Sequence, residues 1–167
     1  MNVVDYEGLD ERVSALEGRV RQLEDSLAIM RLINSWGPAV DTGSSQAAAD
    51  LWYEDGVLDS DLSRLEGPAA VSAMVDSEGQ RALIDRGCAH VQSAPVITVE
   101  GDRATAIAYS QVFLHAQEGH DVWRVSANRW ECQRTPDGWK VTRRVNRVVD
   151  GTADSRALLV GAFDPPR

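Results

Sequence analysis

Four long segments rich in β-branched and aromatic residues lie in the second half of this chain, and they constrain its fold most strongly. They read HVQSAPVITVEG, RATAIAYSQVFLHAQ, HDVWRVSANRWECQRT and GWKVTRRVNRVVDG, between residues 90 and 151. The turns EGD, EGH and PDG that separate them are short and contain glycine, which is typical of consecutive antiparallel hairpins. Helical patterns precede these segments, so the sequence predicts an α+β fold that contains an antiparallel meander.

The first half of the chain is predicted to be mainly helical. A long helix runs towards Pro38, which ends or kinks it, and the loop DTGSSQ follows. Residues 46–56 are predicted to form a short helix that stops at Gly56. A strand over 57–62 and a helix over 67–84 come next. Long strands that curl around such helices leave a concave face, which is a usual place for a ligand pocket.

The predicted first helix has apolar residues at alternating steps of four and three from residue 9 to residue 30, which is a heptad pattern. We call these residues the heptad stripe: Leu9, Val13, Leu16, Val20, Leu23, Leu27 and Met30. In a parallel pair of helices, Arg12 would face Glu17 of the partner and Arg19 would face Glu24. We therefore expect a homo-oligomer, a dimer or a trimer. The alternative is a long amphipathic helix that packs on its own domain.

Length and composition favour a single domain after this helix. The chain has 167 residues, 43% of them hydrophobic and 26% charged, which is ordinary for a globular protein with one core. The predicted organisation is a helical extension over residues 1–24, a domain over 25–160 and a tail over 161–167.

The charge balance and the cysteine content exclude several function classes. Seventeen basic and 26 acidic side chains give a net charge of −9, which argues against a nucleic-acid partner and against an anionic membrane surface. There is no apolar run of membrane-spanning length and no signal-peptide pattern, so we expect a cytoplasmic protein. Cys88 and Cys132 form no CxxC motif and are expected to be free thiols. Candidate ligands are too scattered for a metal triad, so we expect neither metal nor cofactor.

Histidines in two strand-like segments are candidates for acid–base chemistry. His90 opens the first segment, His115 lies near the end of the second, and Asp41 follows the first long helix. A carboxylate beside an imidazole fixes its tautomer and stabilises the imidazolium, which makes the other ring nitrogen a proton acceptor near neutral pH. Spacing alone leaves two alternatives open, a functional Asp–His pair or a structural histidine in a strand.

The order of motifs resembles a known family. The stretches VDTGSSQAAADLWYEDGVLD, CAHVQSAPVITVEGDRATAIAY and DGWKVTRR are similar to the SnoaL-like branch of the NTF2-like superfamily, especially to scytalone dehydratases and hexachlorocyclohexane dehydrochlorinases. The resemblance covers roughly residues 25 to 150. It implies a cone-shaped α+β barrel, in which a curved antiparallel sheet wraps around helices and the heptad helix is an N-terminal extension.

The same resemblance implies roles for particular residues. Asp41 and His90 match the acid–base pair of these enzymes, and His115 matches a second active-site histidine. Three residues match substrate-binding positions, and Trp36 is expected either to wall the cavity or to pack in the core; the four candidates are Ser126, Asn128, Arg144 and Trp36. The tyrosines that scytalone dehydratases place around their substrate have no counterpart at the matching positions.

The function implied by the resemblance is that of a cofactor-independent lyase. A dehydratase-like enzyme would use the Asp–His pair to remove a proton from a small cyclic or polyketide-like substrate in an apolar pocket. Two alternatives stay open. One is an isomerase or polyketide cyclase with the same pair, and the other is a non-catalytic module that binds a small molecule.

Overall fold

The computed structural model describes the backbone of residues 6–163 and the side chains of residues 8–163. Its helices are α1 (Tyr6–Asp41), α2 (Ser45–Ala49), α3 (Gly67–Val75), α4 (Glu78–Arg86) and α5 (Ala153–Val160). Its strands are β1 (Trp52–Ser60), β2 (Arg64–Glu66), β3 (Cys88–Gln92), β4 (Val96–Glu100), β5 (Arg103–Ala116), β6 (Gly119–Thr135) and β7 (Gly138–Val148). A single 3₁₀ turn, Gly161–Phe163, follows α5. Residues 1–5 of the predicted extension and 164–167 of the predicted tail lie outside the described residues.

Helix α1 continues through Pro38 to Asp41, one turn beyond the predicted break. The carbonyl groups of this last turn have hydrogen-bond partners, as a helix end requires. The backbone N–H and the hydroxyl of Thr42 both donate to the carbonyl of Pro38, at 3.1 and 2.7 Å. The extra turn brings the carboxylate of Asp41 to the start of β3.

The strands form one sheet in the order β2-β1-β7-β6-β5-β3, and β4 also pairs with β5. The predicted hairpins are present, and neighbouring strands are antiparallel except for β1, which runs parallel to β7. Irregularities in register occur between Val112 and Phe113 on β5 and between Glu131 and Cys132 on β6. Bulges of this kind bend strands and increase their twist, which helps the sheet curve.

Some predicted elements differ from those in the structure. The helix predicted over 46–56 is only the five-residue α2, and Gly56 lies inside β1, where a Cβ would come within 2.7 Å of the Val141 carbonyl. The helix predicted over 67–84 is two helices, because Ser77 caps α4 by accepting a hydrogen bond from the Gln80 N–H. Helix α5 was not predicted.

The hydrophobic core lies between the C-terminal half of α1 and the inner face of the sheet. Ile29, Ile33 and Val40 of α1 are fully buried together with Trp130 of β6 and Val141 of β7. The predicted α+β class, a curved sheet around helices, is therefore confirmed. Among the described residues, no helix is long and apolar enough to cross a membrane.

Candidate active site

A cavity of about 150 Å³ lies within the curve of the sheet, beneath the end of α1. Much of its wall is apolar, with side chains such as Val40, Leu58 and Val112. Leu62 and Trp123 also line it and are largely exposed, so they mark its mouth. The polar and ionisable side chains of the interior include His90, Gln92, Ser110, Arg144 and Asn146. A few polar groups in an apolar concavity are the usual composition of a small-molecule site.

Asp41 and His90 are hydrogen-bonded to each other at the wall of this cavity. The distance from Asp41 Oδ1 to His90 Nδ1 is 2.5 Å, and the second carboxylate oxygen accepts the backbone N–H of His90 at 2.7 Å. Both side chains are less than one-fifth exposed. Within the described part of the chain, His90 Nε2 has no hydrogen bond. The arrangement fixes the imidazole and leaves Nε2 as the nitrogen that can exchange a proton with a bound molecule.

The pair forms because α1 comes unusually close to β3. A Cβ on Gly37 would lie only 2.0 Å from the carbonyl oxygen of His90. Glycine is thus the residue type that this crossing requires. One turn further along α1, the Asp41 side chain then reaches β3.

Cys88 completes the surroundings of the Asp41 carboxylate. Its thiol donates a hydrogen bond to Asp41 Oδ1 at 3.2 Å. Burial alone would raise the pKa of Asp41, but the hydrogen bonds and charge of His90, together with the Cys88 thiol, lower that pKa below its ordinary value. Burial, followed by the hydrogen bond to Asp41 and its charge, raises the pKa of the Cys88 thiol to about 12. The carboxylate is therefore held ionised, and the thiol stays protonated.

Asp41, Cys88 and His90 are also the candidate metal ligands of the described residues. Their ligand atoms lie within 4.8 Å of one another. A metal ion, however, requires a deprotonated thiolate. Here the thiol is a hydrogen-bond donor to Asp41 and has a raised pKa. In the metal-free protein, the three side chains form a hydrogen-bonded acid–base unit.

Arg144 brings a buried positive charge to the cavity. Its guanidinium is centred 4.2 Å from the ring of Trp130 and 5.1 Å from that of Trp36, and Nε donates to Asn128 Oδ1 at 3.0 Å. It makes no ion pair with a carboxylate of the described residues. Burial, and then the nearby charge of Arg124, lower the pKa of Arg144 to about 9. The guanidinium can therefore bind an electron-rich group in the cavity.

A network of polar side chains supports this arginine. Asn128 Oδ1 accepts from Asn146 Nδ2 at 2.8 Å as well as from Arg144, while Asn128 Nδ2 donates to Ser110 Oγ at 2.9 Å. Arg124 donates to Asn146 Oδ1 at 3.0 Å and pairs with Asp61 at 2.5 Å. These bonds hold Arg144 and Asn146 in fixed positions beside the cavity.

The predicted site residues divide into three groups. His90, Arg144 and Trp36 line the cavity, and Asp41 reaches it through its hydrogen bond to His90. Trp36 also packs edge-on against Trp52 with ring centroids 5.8 Å apart. Ser126 and Asn128 are buried on the inner face of β6 but are not among the cavity-lining residues. Asn128 is instead hydrogen-bonded to three residues that do line the cavity, Ser110, Arg144 and Asn146.

His115 is the third case and requires a correction. It is exposed on the outer face of the sheet, with its ring 5.6 Å from that of His120, and it does not line the cavity. His90 is paired in register with Val112, which does line the cavity. His115 lies three positions beyond Val112, and an odd offset along a strand reverses the face of the side chain. The number of positions between the two histidines does not show on which face of the sheet His115 lies.

Several lining residues were not predicted, although strand alternation gave a usable signal for three of them. Gln92 lies two positions after His90, Asn146 lies two positions after Arg144, and Arg124 lies two positions before Ser126, so each shares the inward face of its neighbour. Ser110 carried no comparable signal, because its face depends on the register between β5 and β6.

The comparisons with known proteins agree with this architecture. Residues 21–145 match the family model of the SnoaL-like domain. Among solved structures, an NTF2-like protein with a cystatin-like fold from Novosphingobium aromaticivorans is 44% identical, with a TM-score of 0.84 over 87% of this chain and 96% of that one. The curved sheet and the long helix thus have the NTF2-like arrangement. No curated protein matches the sequence.

More distant structures share the fold. A hexachlorocyclohexane dehydrochlorinase from Novosphingobium barchaimii is 17% identical, with a TM-score of 0.67 over 78% of this chain and 90% of that one. A protein provisionally assigned as a scytalone dehydratase from Novosphingobium aromaticivorans is 19% identical, with a TM-score of 0.64 over 77% and 86% of the two chains. At such identities the likeness concerns the fold alone.

Proposed function

The chain belongs to the SnoaL-like domain family of NTF2-like proteins, and we propose that it is a cofactor-independent, dehydratase-like lyase. The observation that carries this proposal is the hydrogen-bonded Asp41–His90 pair at the wall of a largely apolar cavity. A structurally similar dehydrochlorinase and a provisionally assigned dehydratase are consistent with elimination chemistry on this fold.

In the proposed reaction, His90 Nε2 removes a proton from a carbon next to an electron-withdrawing group of the substrate. The electron pair of that C–H bond forms a C=C bond, and the bond from the neighbouring carbon to its hydroxyl group breaks. The imidazolium returns its proton to the departing hydroxyl, which leaves as water. Asp41 stabilises the imidazolium between the two transfers. Atoms and charges balance within the substrate and these two side chains.

Arg144 is the group best suited to stabilise the negative charge that develops on the substrate. A fixed, desolvated cation is worth more in an apolar cavity than in water. Its contacts with two tryptophan rings and its hydrogen bond to Asn128 hold it in place before the substrate arrives. We propose that it binds the oxygen of the electron-withdrawing group.

The cavity limits the size of the substrate. A volume of about 150 Å³ accommodates a molecule of roughly one aromatic ring. We therefore propose a small, single-ring β-hydroxy carbonyl compound as the substrate class rather than a fused polycyclic one. The apolar rim formed by Leu62 and Trp123 suits the entry of such a ring.

The test uses single-ring β-hydroxy ketones in deuterated water. Nuclear magnetic resonance follows deuterium incorporation next to the carbonyl group, and mass spectrometry follows the loss of one water molecule. His90→Ala should lower kcat/KM by about 10²–10⁴-fold, because a positioned base contributes that much. His115→Ala is the matched control, since the same residue type is lost from the opposite face of the sheet, and it should leave turnover unchanged.

Each other outcome identifies a different function. Deuterium incorporation without loss of water from the product favours an isomerase or cyclase that uses the same base. Binding without any exchange favours a non-catalytic module. Full turnover by His90→Ala contradicts the role of the Asp41–His90 pair.

A further inference from the structure

The heptad stripe is exposed along the N-terminal half of α1. Between 46% and 66% of the surface is exposed for each of Leu9, Val13, Leu16, Val20, Leu23 and Leu27. Single exposed leucines are common, but a continuous line of six apolar side chains on one helix face marks an interaction surface.

This part of α1 projects from the domain. Apart from Gly18, residues 9–24 are exposed, and the family match begins only at residue 21. The first firm attachment is Asp25, which accepts two hydrogen bonds from Arg134 at 2.7 Å each and one from Trp139 Nε1 at 3.1 Å. About 25 Å of helix precedes Asp25, and the described part of the domain does not pack against it. Most of the stability of a helix in a protein comes from packing of its apolar face, and among the described residues the domain offers no such packing to this half of α1.

The stripe and the core-facing side of α1 are different faces of one helix. At 100° per residue, Leu23 and Leu27 point roughly 120° away from Ile29 and Ile33, which are buried in the core. The helix can therefore pack on its own domain and on a second helix at the same time, and the two uses do not compete.

We propose that the stripe binds the same stripe of a second copy of this chain, in a parallel two-stranded coiled coil. Valine at two of the three positions a, Val13 and Val20 (Leu27 is the third), with leucine at positions d, such as Leu16 and Leu23, favours two parallel strands. A second copy supplies an identical apolar surface of equal length. This proposal is independent of the proposed enzymatic activity.

Charge complementarity selects this partner and this orientation. In the parallel pair, Arg12 and Arg19 at positions g face Glu17 and Glu24 at positions e of the partner. An antiparallel pair would instead bring arginines next to arginines and acids next to acids, which is repulsive. Acidic residues outnumber arginines between Leu9 and Leu27, so an anionic membrane surface is a poor partner.

The first experiment measures the mass of the full-length protein in solution by sedimentation equilibrium over a range of concentrations. The wild-type chain should be a dimer. Leu16→Glu places a charge in the centre of the stripe of both chains, and it should raise the dissociation constant at least about 100-fold. Ser14→Glu adds the same charge to an exposed position outside the stripe, and its dimer should remain.

The folded domain must be intact in each variant, which the thermal unfolding of the core and the near-ultraviolet signal of its buried tryptophans report. A wild-type monomer at all concentrations, a trimer, or a dimer unaffected by Leu16→Glu would each overturn the proposal.

Charge reversal tests the orientation. Arg12→Glu with Arg19→Glu should weaken the parallel dimer, because all its flanking positions then become acidic. The opposite double variant, Glu17→Arg with Glu24→Arg, should also form a weaker homodimer. A mixture of the two double variants should form a heterodimer. An antiparallel pair predicts no weakening by the first change, so a dimer of unchanged affinity contradicts the parallel arrangement.

Discussion

At the scale of single residues, Gln92 follows His90 by two positions on β3 and lines the same cavity. Neither Oε1 nor Nε2 of this buried amide has a hydrogen-bond partner among the described residues. An unsatisfied buried polar group costs about 1–3 kcal/mol. We expect Gln92→Met to raise the free energy of unfolding by about 1 kcal/mol and to raise KM, because the amide would bind a polar group of the substrate. Denaturant titration and steady-state kinetics measure the two effects.

Gln80 is the matched control for this change. It lines the same cavity, but its Nε2 donates to the carbonyl of Val40 at 3.0 Å. Gln80→Met should therefore lower the free energy of unfolding, opposite in sign to Gln92→Met. Two changes of the same sign would contradict the assignment of Gln92 as an unsatisfied ligand-binding group.

The Asp41 carboxylate links folding stability to pH. Because its pKa lies below the ordinary value of 3.8 in the folded protein, the folded state favours the ionised form. This stabilisation is present above about pH 4 and is lost as the pH falls through the folded-state pKa. The stability difference between the wild type and Asp41→Asn, measured by denaturant unfolding, should stay level from pH 7 to about pH 5 and shrink below about pH 4. Parallel stability curves would show that the hydrogen bonds of Asp41 do not favour its ionised form.

Single residues also show which features of the site could be predicted from the sequence and which could not. The proximity of Asp41 and His90 followed from the family resemblance, since 49 residues separate them along the chain. The outward direction of His115 was missed because it depends on the parity of its position relative to Val112. Parity requires the strand register, which a single sequence does not contain.

At the scale of elements, the crossing of α1 over β3 determines the geometry of the site. A methyl group on Gly37 would lie 2.0 Å from the His90 carbonyl oxygen, which is backbone and cannot move aside cheaply. We expect Gly37→Ala to destabilise the fold by about 1–3 kcal/mol and to reduce turnover, because α1 must shift and Asp41 must move from His90. Thermal unfolding and the deuterium-exchange assay measure the two effects.

Gly18 provides the control on the same helix. A Cβ there would have nothing within 4 Å. Gly18→Ala should instead stabilise α1 by about 1 kcal/mol, since alanine is the better helix former. If both substitutions act alike, the close approach of α1 to β3 is not what positions the acid–base pair.

Helices and strands were predicted best where residues close in sequence determine where they begin and end. The hairpins between β5, β6 and β7 follow from short turns with glycine, such as Gly119 and Gly138, which have positive φ angles. The segment after α2 was assigned wrongly because Gly56 reads locally as a helix stop. Its actual setting is a strand parallel to β7, and that pairing is a long-range contact.

At the scale of the whole molecule, α1 joins the domain to the surface that we propose for dimerisation. Arg134 of β6 holds Asp25 by two hydrogen bonds, lies 4.5 Å over the ring of Trp139 on β7, and also bonds to Asp102 at 3.0 Å. The hydrogen bonds and charge of Arg134 contribute to lowering the pKa of Asp25, although its burial opposes them. The helix is therefore anchored to the sheet immediately beyond its projecting half.

This continuity predicts that dimerisation and domain stability are coupled. Because α1 is one helix of 36 residues, from the heptad stripe to the core, unfolding of the domain should disrupt the coiled coil as well. The Tm of the wild-type protein should then rise with protein concentration, by about 1–3 °C for each tenfold increase. Leu16→Glu should show no such dependence, and Ser14→Glu should behave as the wild type does. A wild-type Tm that is constant over a hundredfold range of concentration would mean that the folded domain gains nothing from a second chain.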